Sequence, residues 1–167
     1  MAEYILPIVC DVKRKGRCGS VANVFDTAKY ILSEIGGEVS TMKLQKLCYY
    51  AFVERLVTSD KKLFDEQFEA WANGPVCREL FNVHKGKFFV SARDIPNGRL
   101  TDTLTQDEIN CINKVLERDK ETDGSVLSER THREKPWQDA RKDLPLSARC
   151  RNKITLKSIK EYYGRQA

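Results

Sequence analysis

The chain has 167 residues, a formal net charge of +5, and 41% hydrophobic and 32% charged side chains. That length suits one domain that buries most of its apolar surface without a metal or disulfide staple, and that balance excludes an intrinsically disordered protein. No apolar run approaches the roughly 20 residues of a membrane span, so no membrane partner is expected. In "MAEYILPIVC" an acid precedes the apolar stretch and a basic cluster follows it, the wrong order for a secretory leader, so a cytoplasmic protein is expected.

The positive charge sits at the ends. Residues 1–20 hold four basic and two acidic side chains, and residues 149–167 hold six and one, which leaves the body at −2. A nucleic-acid-binding core carries its basic residues on the body, so nucleic acid is disfavoured as a partner and the ends read as solvated.

In chain order, residues 1–19 form an N-terminal extension in which a strand can form at 4–9. Gly19 or Ser20 can start a first helix, with Val21, Val24, Phe25, Ala28, Ile31, Leu32 and Ile35 at helical spacing. Gly36-Gly37 ends it. In "VSTMKLQKLCYYAFVERLV", Ser40 or Thr41 caps a second helix with Leu44, Leu47, Cys48, Ala51, Phe52, Arg55 and Leu56 on its stripe. Lys43, Gln45, Lys46 and Glu54 lie off that stripe. Tyr49 and Tyr50 are adjacent and cannot face the same way, so one is expected in the core and the other at the rim. "EQFEAW" alternates and predicts a strand over 66–71. Gly74 permits a special backbone conformation, and Pro75 suits the first turn of a helix carrying Val76, Leu80, Phe81 and His84. A further strand is open at 87–90, and residues 91–104 read as a loop.

Thr105 and Glu108 form a capping box for a helix with Ile109, Ile112, Val115 and Leu116 on its apolar face. "DGSVLSERTHRE" predicts a shorter helix ending near His132, "KPWQDAR" a further turn, and "ITLKSIKEYY" a last helix capped by Thr155. The fold class expected is mainly α with a small β component (α+β), in one domain over 20–167.

Little in the sequence points to catalysis. The six cysteines are scattered without a C-x-x-C pair and read as small core hydrophobes. Glu129 and His132 share a helix face, but a surface or capping pair outweighs half a metal site. No nucleotide loop, zinc-protease motif or nucleophile elbow is present. No catalytic, cofactor-binding or metal-binding residue is assigned, no cofactor is expected, and the protein is read as not an enzyme. The aromatic residues around the Trp71–Pro75 corner are the other candidates, as core or as interface anchors.

"MKLQKLCYYAFVERL", "LFDEQFEAWANGPVCREL" and "LSERTHREKPWQDAR", with the closing "ITLKSIKEYY", together resemble the Panacea domain of SocA-like, phage-associated antitoxins, over about residues 20–163. Leu44, Gln45, Lys46, Leu47, Tyr49, Tyr50, Trp71, Gly74, Pro75 and Trp137 carry the resemblance, with Leu127, Ser128, Thr131, His132, Pro136 and Arg141 in the third motif. Cys48 stands where an aliphatic residue is expected, "AFVERLV" replaces a more polar run, and the extension has no counterpart.

The resemblance implies a mostly helical antitoxin that neutralises a cognate toxin protein by direct contact, encoded in phages or mobile elements. One branch of the family implies an alternative, an adaptor that delivers its toxin to a ClpXP-type protease. A nucleic-acid-binding regulator is a third reading, but 1–19 is too short for a helix-turn-helix. The partner-binding candidates are Tyr49, Tyr50, Trp71, Pro75, Arg130, His132 and Trp137.

Overall fold

The computed structural model describes residues 22–99 and 103–165. The strand open at 4–9, the proposed helix start at 19–20, and Cys10 and Cys18 lie outside them. Among the described residues the order is α1 (Val24–Ile35), β1 (Val39–Ser40), α2 (Thr41–Ser59), β2 (Phe68–Trp71), β3 (Gly74–Cys77), α3 (Arg78–His84), β4 (Phe89–Val90), a 3-10 turn (Ala92–Asp94), α4 (Gln106–Asp119), α5 (Gly124–His132), α6 (Lys135–Arg141) and α7 (Leu156–Tyr163). This is the expected α+β class, with small antiparallel sheets β1-β4 and β2-β3.

Most helix ends are set by local chemistry. Ser40 accepts from the Lys43 N–H at the start of α2, and Asp60, in the left-handed region, closes it. The Thr105–Glu108 capping box opens α4, and Thr155 caps α7. The first helix starts later than expected. Asn23 and Asp26 form a capping box that places α1 at Val24, and Gly36 at φ 75° ends it.

α2 is the axis of the molecule. It packs against α1, α4, α5, α7 and β3, so its burial extends well beyond the stripe that the apolar spacing defines. Gln45 and Lys46, expected off that stripe, are buried. Its aromatic side joins Phe52, Phe64 and Phe68, whose ring centroids lie 5.1–6.0 Å apart. Cys48, Cys77, Cys111 and Cys150 are buried free thiols, as expected of small core residues.

One correction concerns the corner after Trp71. Pro75 and Val76 do not open a helix; they lie in β3, and α3 begins at Arg78. β2 pairs antiparallel with β3, with Trp71 opposite Gly74 and Ala70 opposite Pro75. The Ala70 N–H points away from β3 to the Asn152 carbonyl at 2.9 Å, so Pro75 stands at a position where the ladder needs no donor. The Ile154 N–H bonds the Phe68 carbonyl at 2.8 Å, and the segment around Lys153 flanks β2 as a third strand-like edge. The strand open at 87–90 forms only at Phe89–Val90, against β1.

Candidate functional site

Besides the backbone bonds to the segment around Lys153, the β2–β3 hairpin is held by side chains of three helices. The Trp137 indole N–H donates to the Trp71 carbonyl at 2.9 Å, and the Ser128 hydroxyl to the Asn73 carbonyl at 2.8 Å. Lys46 Nζ donates to the Pro75 carbonyl at 3.1 Å, and Arg141 Nη1 to the Ala70 carbonyl at 2.9 Å. Gln45 pairs with both backbone groups of Cys77, accepting from its N–H at 2.9 Å and donating to its carbonyl at 3.2 Å. Three helices, α2, α5 and α6, thus satisfy backbone groups that would be costly to bury unpaired.

Gly74 is required at the tip for two reasons. Its φ is 95°, and an added Cβ would lie 2.5 Å from Thr131 Oγ1 and 2.6 Å from Lys46 Cε. Beside the hairpin, Trp71, Phe81, Met42, Gln45, Lys46 and His84 line a cavity of about 280 Å³. Gln45 Nε2 lies 2.9 Å from His84 Nε2. The amide donates there, so the His84 proton sits on Nδ1, and burial lowers the imidazole's proton affinity.

A second recess, of about 540 Å³, opens between α2, α4, α5 and α7. Its floor is Glu134, which accepts from the Tyr50 hydroxyl at 3.1 Å and from the Tyr163 hydroxyl. Burial, opposed by these bonds and by nearby Arg130 and Arg118, raises its carboxyl above the usual range. Arg118 and Arg130 stand over the Tyr50 ring.

The family model "Antitoxin SocA-like, Panacea domain" matches residues 44–138, more than half of the chain. The chain belongs to the SocA-like antitoxin family. No curated protein and no solved structure matched the chain. The match runs from α2 through the hairpin into α6, so it takes in most of the clamp. The closing segment that also resembles the Panacea domain falls outside it, as does Arg141.

In this Panacea domain the expected contact residues separate into two groups. Trp71, Pro75, His132 and Trp137 gather at the hairpin, where the His132 ring stacks on Trp137 at 4.3 Å. Tyr50 and Arg130 gather at the recess. The expectation that one of Tyr49 and Tyr50 reaches the rim is corrected: Tyr49 is 0% and Tyr50 4% exposed, because α2 is covered on both sides. Tyr49 packs edge-on against Phe68 at 5.2 Å. Pro75 and Trp137 are also buried, so the Trp-Gly-Pro corner is first a joint of the fold. Trp71, Arg130 and His132 keep part of their surface. Sequence reasoning gave Gln45, Lys46 and Arg141 only as motif residues of the resemblance, without contacts, and singled out neither Arg118 nor Glu134. For Lys46 and Gln45 the available signal was a polar pair inside the chain's most sustained apolar helix.

Among the described residues, no group of three or more His, Cys, Asp or Glu could hold a metal ion. No helix among them is long and apolar enough to cross a membrane. The described basic residues of 149–165 are exposed, although α7 itself packs on α2 and α6.

Lys46 gives the clamp a pH dependence. It is 1% exposed, and burial pulls its ammonium down to about 7. The unfolded chain keeps that proton to about pH 10. Between about pH 7 and 10 the unfolded state binds more protons, so stability from this residue rises with pH. Above about pH 8.5 thiols of the unfolded chain ionise, whereas burial first, then the Glu79 carboxylate, pushes the folded Cys77 thiol up to about 12; this acts in the opposite sense. Denaturant titrations from about pH 7 to 8.5 are therefore expected to show the parent gaining about 1.5 kcal/mol relative to Lys46→Met. Parallel pH profiles for the two proteins would refute the assignment.

Proposed function

We propose that this chain is the antitoxin of a toxin–antitoxin pair, acting in the cytoplasm and neutralising its toxin by direct protein contact. The observation that carries this is the family match over 44–138, which spans the hairpin and most of the helices that brace it. A fixed hairpin supports tight masking, because a pre-organised surface loses little freedom on binding. Trp71, Arg130 and His132, which keep part of their surface, form the proposed contact set, since aromatic and arginine side chains anchor protein interfaces. Phe88 and Phe89, 85% and 63% exposed, follow the Lys85–Lys87 edge of the Trp71 cavity and extend the aromatic surface. The setting proposed is a two-gene unit of a phage or mobile element.

The test is co-expression of this chain with the product of the adjacent reading frame, in cells with and without ClpXP. Growth arrest by that product should be relieved, the two proteins should co-purify, and toxin abundance should be the same in both hosts. Persistent arrest without co-purification would overturn the reading. Toxin loss seen only where ClpXP is present would replace neutralisation with delivery to a protease.

A further inference from the structure

Arg118 and Arg130 come from different helices and converge on one residue of a third. Their guanidinium carbons lie 5.6 and 5.4 Å from the centre of the Tyr50 ring. Both also pair with Asp119, which is buried: Arg118 Nε donates to Oδ2 and Arg130 Nη1 to Oδ1, each at 2.8 Å. One carboxylate thus holds two guanidiniums, each through a single nitrogen, and these three groups together carry one positive charge. A guanidinium carries five N–H donors in a fixed fork, so most of the donors on both are left for a ligand. The two side chains are 53% and 37% exposed and line the 540 Å³ recess.

The other groups at the recess do not take up these donors. Both oxygens of Glu134 accept tyrosine hydroxyls, and Glu54 at the rim pairs with Lys114 at 3.4 Å. Val53 and Val57 supply apolar wall. A short apolar stem ending in a planar carboxylate matches this lining, because the arginine fork pairs carboxylates in a bidentate way. A nucleic-acid backbone does not match it. A polyanion needs a run of cations, and here Asp119, Glu134 and Glu54 surround the two arginines.

We infer that the recess receives an acidic side chain of the toxin, gripped by Arg118 and Arg130 beside the Tyr50 ring. The inference rests on the antitoxin reading and deepens it by naming the site and the chemistry of the contact. The aromatic ring and Asp119 hold the two forks before the partner arrives, so the pair forms with little rearrangement.

The experiment uses the full chain and the toxin from the adjacent reading frame, with affinity measured by titration and folding by thermal melts. Arg118→Gln with Arg130→Gln removes the grip but leaves Asp119 buried without its partners. A triple variant that adds Asp119→Asn keeps the cluster neutral and guards against a folding failure. The triple variant is expected to melt as a folded protein and to bind on the order of 30-fold more weakly or worse. In a double-mutant cycle, one Asp or Glu of the toxin should couple to Arg130, so that its neutralisation costs clearly less in the Arg130→Gln background than in the parent. If the parent itself fails to bind, the antitoxin reading falls and this inference with it. If the parent binds and the folded triple variant binds as well, only the recess assignment is overturned. If affinity falls but no toxin carboxylate couples to Arg130, the acidic side chain is the wrong ligand.

Discussion

Gly74→Val is expected to lower stability by about 3–4 kcal/mol, which for a chain of this size is a fall in melting temperature of roughly 10 °C. Two independent costs meet at this position. A left-handed backbone costs a residue bearing a Cβ about 1–2 kcal/mol, and the φ here is 95°. The new Cβ also enters occupied space, 2.5 Å from Thr131 Oγ1 and 2.6 Å from Lys46 Cε, and overpacking of this kind costs about 1–3 kcal/mol. Thr131 cannot step aside cheaply, because it is buried and its hydroxyl bonds the Ser128 carbonyl at 2.7 Å. Lys46 can retreat only by giving up the Pro75 carbonyl. Gly36→Val is the matched control: its φ is 75° and nothing lies within 4 Å of an added Cβ, so it carries the backbone cost without the close approach. Thermal melts that place the two variants within about two degrees of each other would refute the close packing of the hairpin tip.

Arg141→Met should lower stability by about 3 kcal/mol and loosen the chain between α6 and β2's outer edge. Arg141 is buried, with its guanidinium 5.0 Å from the centre of the Trp137 ring. Nη1 serves the Ala70 carbonyl, and Nη2 serves the carbonyls of Pro145, Leu146 and Ala148 at 2.6, 3.1 and 2.9 Å. One side chain thus ties the hairpin to the irregular segment after α6. Charge-assisted bonds contribute about 1.5–3 kcal/mol each, but they do not add here. Leu146 is exposed and its neighbours can turn to water, and methionine removes the cost of a buried cation. The residual loss comes mainly from the Ala70 carbonyl and the cation–ring contact. Hydrogen exchange should quicken at residues 142–152 ahead of α2. An unchanged melt with unchanged exchange in that segment would show that Arg141 holds nothing together.

The hairpin and the recess differ in how far the sequence revealed them. The hairpin's motif residues stood out, Trp71, Gly74, Pro75 and Trp137 among them, and the resemblance they carried was confirmed over 44–138. Their grouping in space was hidden, because Trp137 meets Trp71 across 66 residues and Arg141 meets Ala70 across 71. The recess was visible only as Tyr50 and Arg130. Its members Arg118, Glu134 and Tyr163 come from α4, the start of α6 and α7, and no spacing rule relates residues on separate helices.

What the sequence determined by itself is what short-range physics decides. Apolar residues at helical spacing, with Ser40, Thr105 and Thr155 as caps, set α2, α4 and α7, because the i, i+3 and i+4 positions and the first free N–H groups all lie within one turn. Tertiary structure decided the rest. It turned Pro75 from a helix start into a strand residue, because Ala70 directs its N–H to Asn152 rather than across the hairpin. It buried Lys46 and Gln45, because the backbone of β3 offered the acceptors that their helix could not. It also buried both Tyr49 and Tyr50, because α2 is covered on opposite sides: Tyr49 against Phe68 of β2, and Tyr50 beneath arginines from α4 and α5. A sequence specifies which face of a helix is apolar, but only the packed neighbours decide how much of its circumference loses contact with water.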